Sequence, residues 1–166
     1  MMKLESAADV DPSSMRAVMG NFATGVTVVS TSTPDGPAGV TINSFTSVSL
    51  EPPLVLFCIG RASRTWPAIE RTGRFAASFL TGEQESVARR FCASGVDRFA
   101  GQDLVTASTG APILARAAGF VDCRIDRVLD GGDHRVVLGR VVAAGVLNGG
   151  RLLVFAHGAY VASGPA

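Results

Sequence analysis

TINSFTSVSLEPP, residues Thr41–Pro53, sets six side chains that can both donate and accept hydrogen bonds ahead of two consecutive prolines. The run is too polar for a core strand, yet apolar stretches of β character flank it on both sides. Hydroxyls and an amide can hold the polar edge of a planar ligand, and a phosphate, without a large fixed charge. The same composition also suits an ordinary Ser/Thr-rich loop. The flanking chain has to decide between the two.

Upstream, Gly25–Thr33 (GVTVVSTST) is β-branched and predicts a strand. Pro34-Asp35-Gly36 is a turn, and Pro37–Thr41 brings the chain back as the second arm of a hairpin. Before it, Asp11-Pro12-Ser13 predicts a helix start, with Met15, Val18, Met19 and Phe22 on one apolar face. Downstream, Leu54–Ile59 is continuously apolar and predicts a strand buried on both sides. Ser63 or Thr65 then caps a helix through Trp66, Ile69 and Arg71, with Pro67 tolerated in its first turn. Arg74–Leu80 reads as a strand. Thr81–Gln84 has capping-box spacing, and the helix that it starts runs to about Cys92, with Val87 and Phe91 facing inward.

Ala93–Ala111 is weakly patterned and reads as loop. β pattern resumes at Gly119, is interrupted by Asp130–His134, continues through Val136–Val142, and ends with Leu152–Phe155 after a hairpin turn at Asn148-Gly149-Gly150. Short strands joined by tight turns predict a mainly β fold, an antiparallel, Greek-key-like barrel that is closed or nearly so, with helices packed outside. No GxGxxG joins a strand to a helix, so a doubly wound parallel sheet is disfavoured. The chain of 166 residues suits one domain, expected over residues 13–163 behind a flexible leader, residues 1–12.

The net charge of +1 excludes the electrostatic footprint of a nucleic-acid binder or of a surface that seeks anionic lipid. No apolar run reaches membrane-spanning length, and the N-terminal stretch lacks a signal-peptide core. Cys58, Cys92 and Cys123 have no CxxC spacing and sit in apolar contexts, which predicts buried free thiols, no zinc site and a reducing, cytoplasmic setting. No metal-ligand cluster is evident.

Three further stretches carry polar chemistry. Arg61–Thr65 places a guanidinium and hydroxyls at a helix start, where phosphate binds readily; Arg61, Ser63 and Thr65 are the candidates, with plain N-capping as the bland reading. Arg90 could reach a phosphate while Phe91 packs inward, or lie on a solvated helix face. Gly132-Asp133-His134 combines close backbone approach with an acid beside an imidazole, or is a surface turn.

Taken in order, FATGVTVVST, GVTINSFTSVSLEPPLVLFCI, SRTWPAI, FAASFLTGEQESVARRF and GGDHRVVLGRV resemble the short-chain flavin reductase family, over roughly Met15 to Tyr160. The resemblance implies an FMN-binding split β-barrel. It implies hydride transfer from NADH or NADPH to FMN or FAD, and supply of reduced flavin to a partner monooxygenase. In it, Thr41, Asn43 and Ser44 face the isoalloxazine ring, and Ser47, Val48 and Ser49 line the flavin. Cys58 and Ile59 flank the ring and ribityl chain. Ser63, Thr65 and Arg90, followed by Phe91, match phosphate contacts. Gly132, Asp133 and His134 match a nicotinamide-nucleotide motif that Gly139 closes, with His134 the one residue expected at the reaction itself. The flavin of such proteins lies near a homodimer interface. The alternatives are a flavoprotein oxidoreductase with tightly bound FMN and a non-catalytic flavin- or haem-binding carrier or sensor.

Overall fold

The computed structural model describes residues 10–164. Of the expected leader, residues 1–9 lie outside the described residues. Asp11 starts α1 (Pro12–Met19) by accepting from the backbone N–H groups of Ser13 and Ser14 at 2.7 and 3.0 Å. The apolar face of α1 forms as expected but is uncovered: Met15, Val18, Met19 and Phe22 are all exposed.

Twelve strands follow among the described residues: β1 (Thr24–Gly25), β2 (Thr27–Thr33), β3 (Gly36–Ile42), β4 (Thr46–Leu50), β5 (Pro53–Gly60), β6 (Arg74–Phe79), β7 (Leu104–Thr106), β8 (Pro112–Leu114), β9 (Gly119–Gly131), β10 (His134–Val146), β11 (Leu153–Ala156) and β12 (Ala159–Ala162). Two more helices are inserted, α2 (Trp66–Thr72) after β5 and α3 (Glu85–Cys92) after a 3-10 turn at Gly82–Gln84. The capping box forms as read, Thr81 with Gln84.

The main sheet has the order β3-β2-β6-β9-β10-β5-β4, and every neighbouring pair in it is antiparallel. It wraps one core, to which β2 contributes Val29, β3 Ile42, β5 Phe57 and Ile59, β6 Phe75 and β10 Val137, with Trp66 and Ile69 of α2 against it. The antiparallel, mainly β expectation holds. The sheet is nevertheless not closed, because its outer strands β3 and β4 are not hydrogen-bonded to each other. β1, β11 and β12 form a separate small sheet. A second core lies under α3, where Val28, Leu80, Phe91 and Leu153 meet.

Four expectations change. The polar opening stretch is not one loop: Thr46–Leu50 is edge strand β4, hydrogen-bonded to β5 and polar because it is exposed. β5 is not buried on both faces. Val55, Phe57 and Ile59 enter the core, while Leu54, Leu56 and Cys58 point outward and are half-buried. Asn148-Gly149-Gly150 does not make a hairpin, since β10 and β11 belong to different sheets. Its Asn148 amide instead donates to the carbonyls of Ala115 and Ala117 at 2.9 and 3.0 Å. Finally, only Cys123 is a buried thiol, its pKa pushed up to about 12 first by burial and then by Asp122. Cys92 is exposed: it follows inward-facing Phe91, and successive helix residues point about 100° apart.

Gly139 is required by packing. A Cβ there would lie 2.4 Å from Phe75 Cζ and 3.1 Å from Cys123 Cβ, at a register shift between β9 and β10. Gly139→Ala is expected to destabilise the fold by about 1–3 kcal/mol, read as a lower urea midpoint at unchanged slope. An unchanged midpoint would show that the Phe75 ring can move aside freely.

Candidate functional site

The site begins where the sheet stops. β3 pairs with β2 on one side only, so its other backbone edge is open. Midway along that edge the Gly39 carbonyl accepts from Thr65 Oγ1 at 3.2 Å and from Arg98 Nη1 at 2.7 Å. Past the C-terminal end of β3 the chain crosses to β5 through Ser44. The Ser44 hydroxyl accepts from the Cys58 N–H at 2.9 Å and donates to the Cys58 carbonyl at 3.1 Å. It thus does the work of a ladder pair where no ladder exists.

The neighbouring polar groups divide between anchoring and exposure. Thr41 Oγ1 donates to the Ala88 carbonyl of α3 at 2.7 Å, tying β3 under that helix. Asn43 is exposed, its amide 3.3 Å from Thr24 Oγ1. Thr41 and Asn43 line a cavity of about 200 Å³ with Cys92, Phe155 and Tyr160. Along β4, Ser47 and Val48 are exposed and Ser49 is half-buried, with a register shift between Ser47 and Ser49.

The β9–β10 turn is fixed to the end of β5. Gly132 has φ +75°, and Asp133 Oδ1 lies 2.7 Å from His134 Nδ1. Arg61 clasps this turn: Nε donates to the Gly132 carbonyl at 2.7 Å, Nη2 to Asp130 Oδ1 at 2.5 Å, and its backbone N–H to the Asp133 carbonyl at 3.0 Å. In register, His134 stands opposite Gly60 and Val136 opposite Cys58. Opposite residues of an antiparallel pair share a face, so Cys58 and His134 look outward on the same surface. Ser44 adjoins that surface through Cys58. The fold therefore gathers Ser44, Cys58, Gly132, Asp133 and His134, with Asn43 next to Ser44 in the chain.

Other expected residues are placed differently. Ile59 and Phe91 are buried in cores, and Gly139 is sealed against Phe75 between two strand partners, so the side chains of Ile59 and Phe91 are not open to a ligand. The Arg61 guanidinium is taken up by the turn, and Arg90 Nη1 donates to the Ala100 carbonyl at 2.5 Å. Thr65 precedes α2 but does not cap it with its side chain, and Ser63 Oγ accepts from the Thr65 N–H at 3.3 Å. Sequence reasoning missed Arg64, Arg98, Phe155 and Tyr160. Arg98 lies in the weakly patterned stretch, and β12 had no strong apolar signal. Among the described residues no helix is long and apolar enough to cross a membrane.

Residues 19–164 match the family described as "Flavin reductase like domain". The chain is 42% identical over 160 residues to the flavin-dependent monooxygenase reductase subunit HsaB of Rhodococcus jostii, covering 96% of this chain and 82% of that protein. It is 38% identical over 147 residues to the NADH-dependent FMN reductase SmoA of Agrobacterium fabrum, covering 89% and 83%. The solved structure of the Streptomyces globisporus NADH:FAD oxidoreductase SgcE6 with NAD and FAD fragments superposes with a TM-score of 0.87 at 40% identity, covering 96% of this chain and 98% of that one.

The hydrogen bond from Arg61, then that from the Gly132 N–H, holds the Asp130 carboxyl below its usual pKa. A depressed carboxylate pKa means that the clasp is fully formed above the ordinary range and is lost as pH falls through the lowered value. Arg61→Gln should raise the Asp130 titration toward the ordinary carboxylate range, followed by carboxyl-carbon NMR. An unchanged titration would show that the clasp does not persist in solution.

Proposed function

The chain belongs to the flavin reductase-like domain family, and from that membership we propose that it is an NAD(P)H:flavin oxidoreductase, passing hydride from NADH to FMN or FAD and supplying reduced flavin to a separate monooxygenase. The observation that carries this reading is the shared surface of Ser44, Cys58 and Gly132–His134 beside the open edge of β3. The two nucleotides supply the redox chemistry, transfer running from nicotinamide to flavin, and the protein supplies position and electrostatics.

In this reading the residues have distinct tasks. Asn43 offers a neutral amide to the polar edge of the flavin ring. Ser44 fixes the Cys58 backbone on which the ring rests, and Ser47, Val48 and Ser49 flank it. Neutral donors there favour the charge that reduction places on the ring. Gly132, Asp133 and His134 take the nicotinamide nucleotide, with Asp133 orienting the imidazole and Arg61 holding the turn. No proton has to be removed by a strong base, in keeping with a site built from hydroxyls, an amide and one histidine.

We also read the unit as a single domain over residues 13–163 that works as a homodimer. Supporting this, Val48, Leu50 and Leu129 of the main sheet are exposed, Leu50 at 92%, and the apolar face of α1 is uncovered. Apolar surface of this kind is buried when two copies meet. A monomeric mass by light scattering would contradict the dimer. The three free cysteines fit a reducing, cytoplasmic setting.

Steady-state oxidation of NADH should require added flavin, tested with FMN, FAD and riboflavin in turn. Turnover without added flavin would replace this reading with a tightly bound flavin, and no turnover with any of the three would overturn it. His134→Ala should raise the KM for NADH about tenfold through one lost hydrogen bond, with flavin affinity retained. If KM and kcat both stayed at wild-type values, His134 would have no part in holding the nucleotide.

A further inference from the structure

We propose that Arg74, Arg124 and Arg140, drawn up in a row across the main sheet with Arg127 beside them, dock an acidic segment of a partner protein. On the reductase reading above, on which this choice of partner rests, that protein is the monooxygenase that takes the reduced flavin.

The register sets the row. Arg74 of β6 stands opposite Arg124 of β9, and Arg124 stands opposite Arg140 of β10. Opposite residues share a face. Neighbouring strands lie about 4.8 Å apart, so the three arginines stand abreast within about 10 Å. Phe75 and Cys123, the next residues to Arg74 and Arg124 in their strands, enter the core, so the row points outward. Arg127 stands opposite Leu138, which shares the outer face of β10 with Arg140.

Like charges directly opposite one another destabilise a sheet. The chain offsets only part of that cost. Asp126 sits at the register shift between β9 and β10 and pairs with Arg140 at 2.9 Å. Asp122, two residues before Arg124 on the same face, is buried and accepts from the N–H and the hydroxyl of Thr109. Glu51 in the β4–β5 turn and Glu70 on α2 make no ion pair among the described residues, and neither do Arg74, Arg124 and Arg127. Arg124 and Arg127 are exposed. Arg74 supplies an independent sign, because its Nε is buried with no hydrogen-bond partner among the described residues. A buried donor without an acceptor is costly, and a guanidinium gains most from a carboxylate.

The spread of the charges selects a polypeptide. Arg124 and Arg127 are three residues apart along β9, about 10 Å, so the patch extends about as far along the strands as across them. Several carboxylates on one chain match that spacing, whereas a single phosphate would meet only part of it. Two copies of this protein meeting row to row would bring like charges together. Position names the partner. Arg140 and His134 share a face of β10 six residues apart, about 20 Å at 3.3 Å per residue. A protein held at the row stands beside the surface from which reduced flavin leaves.

Octaglutamate is the probe for an acidic segment, and inorganic phosphate is the probe for a small anion. The full chain is titrated with each at low ionic strength, followed by backbone amide shifts, for the wild type and the double variant Arg124→Gln, Arg127→Gln. Octaglutamate should move the amides of residues 74, 124–127 and 140 most and be released in about 0.5 M salt. The double variant should bind it about fivefold more weakly, with NADH oxidation on free FMN within about twofold of wild type. Unchanged affinity in the double variant, or shifts centred elsewhere, would overturn the proposal. So would phosphate moving the same amides at comparable affinity, which would make the row a small-anion site. Inhibition by octaglutamate that is competitive with NADH would assign the row to the nucleotide, and a changed mass of the double variant by light scattering would assign it to the contact between two copies; either result overturns the docking role. A wild type that oxidised no NADH with any flavin would remove the reductase reading and the monooxygenase with it, while the octaglutamate titration would still decide the row.

Discussion

One hydroxyl holds the site together. Ser44 donates to and accepts from the Cys58 backbone, and so fastens the end of β3 to β5 across a sheet that does not close. An open strand edge exposes unpaired backbone groups and invites association with other chains. Here the edge is engaged by Ser44 just past the end of β3 and by Thr65 and Arg98 midway along it, at Gly39. What remains between them is a row of neutral donors and acceptors beside a half-buried sheet surface. A flat heterocycle with a polar rim needs such a surface, and a closed barrel would not offer it.

Charge is distributed by task around this edge. At the β9–β10 turn, Arg61 forms an ion pair with Asp130, and Asp133 is hydrogen-bonded to the His134 imidazole. Those pairs are exposed and contribute little to global stability, but they fix a glycine turn beside Gly60. Beside Gly39, midway along β3, the Arg98 guanidinium donates to neutral acceptors, in a cleft lined also by Arg64 and Asp97.

The sequence made most of the architecture legible because strand and turn chemistry is local. The β2–β3 hairpin followed from Pro34-Asp35-Gly36, and the 3-10 turn before α3 from Thr81 and Gln84. The β9–β10 turn followed from its glycines. Failures came where tertiary context decides. Alternating burial of β5 cannot be read from a run in which both faces are apolar, since Leu54, Leu56 and Cys58 are as hydrophobic as their inward neighbours. Asn148 looked like a hairpin turn because its long-range partners, the Ala115 and Ala117 carbonyls, leave no local trace. In the site, residue types were visible and their commitments were not. Arg61 looked free and is clasped, while Arg98 sat in a patternless stretch and emerges only because the chain folds it back onto Gly39 and Thr65.

The central claim is that the open edge of β3, with Cys58 and the β9–β10 turn, is where flavin lies. Backbone amide chemical shifts recorded during a titration with FMN test it most directly. The account predicts that the largest changes fall on residues 39–44, on Cys58–Thr65 and on Gly132–His134. Changes centred instead on the apolar cavity of about 390 Å³ walled by Phe45, Phe79 and Gly145, with the β3 edge unmoved, would contradict it.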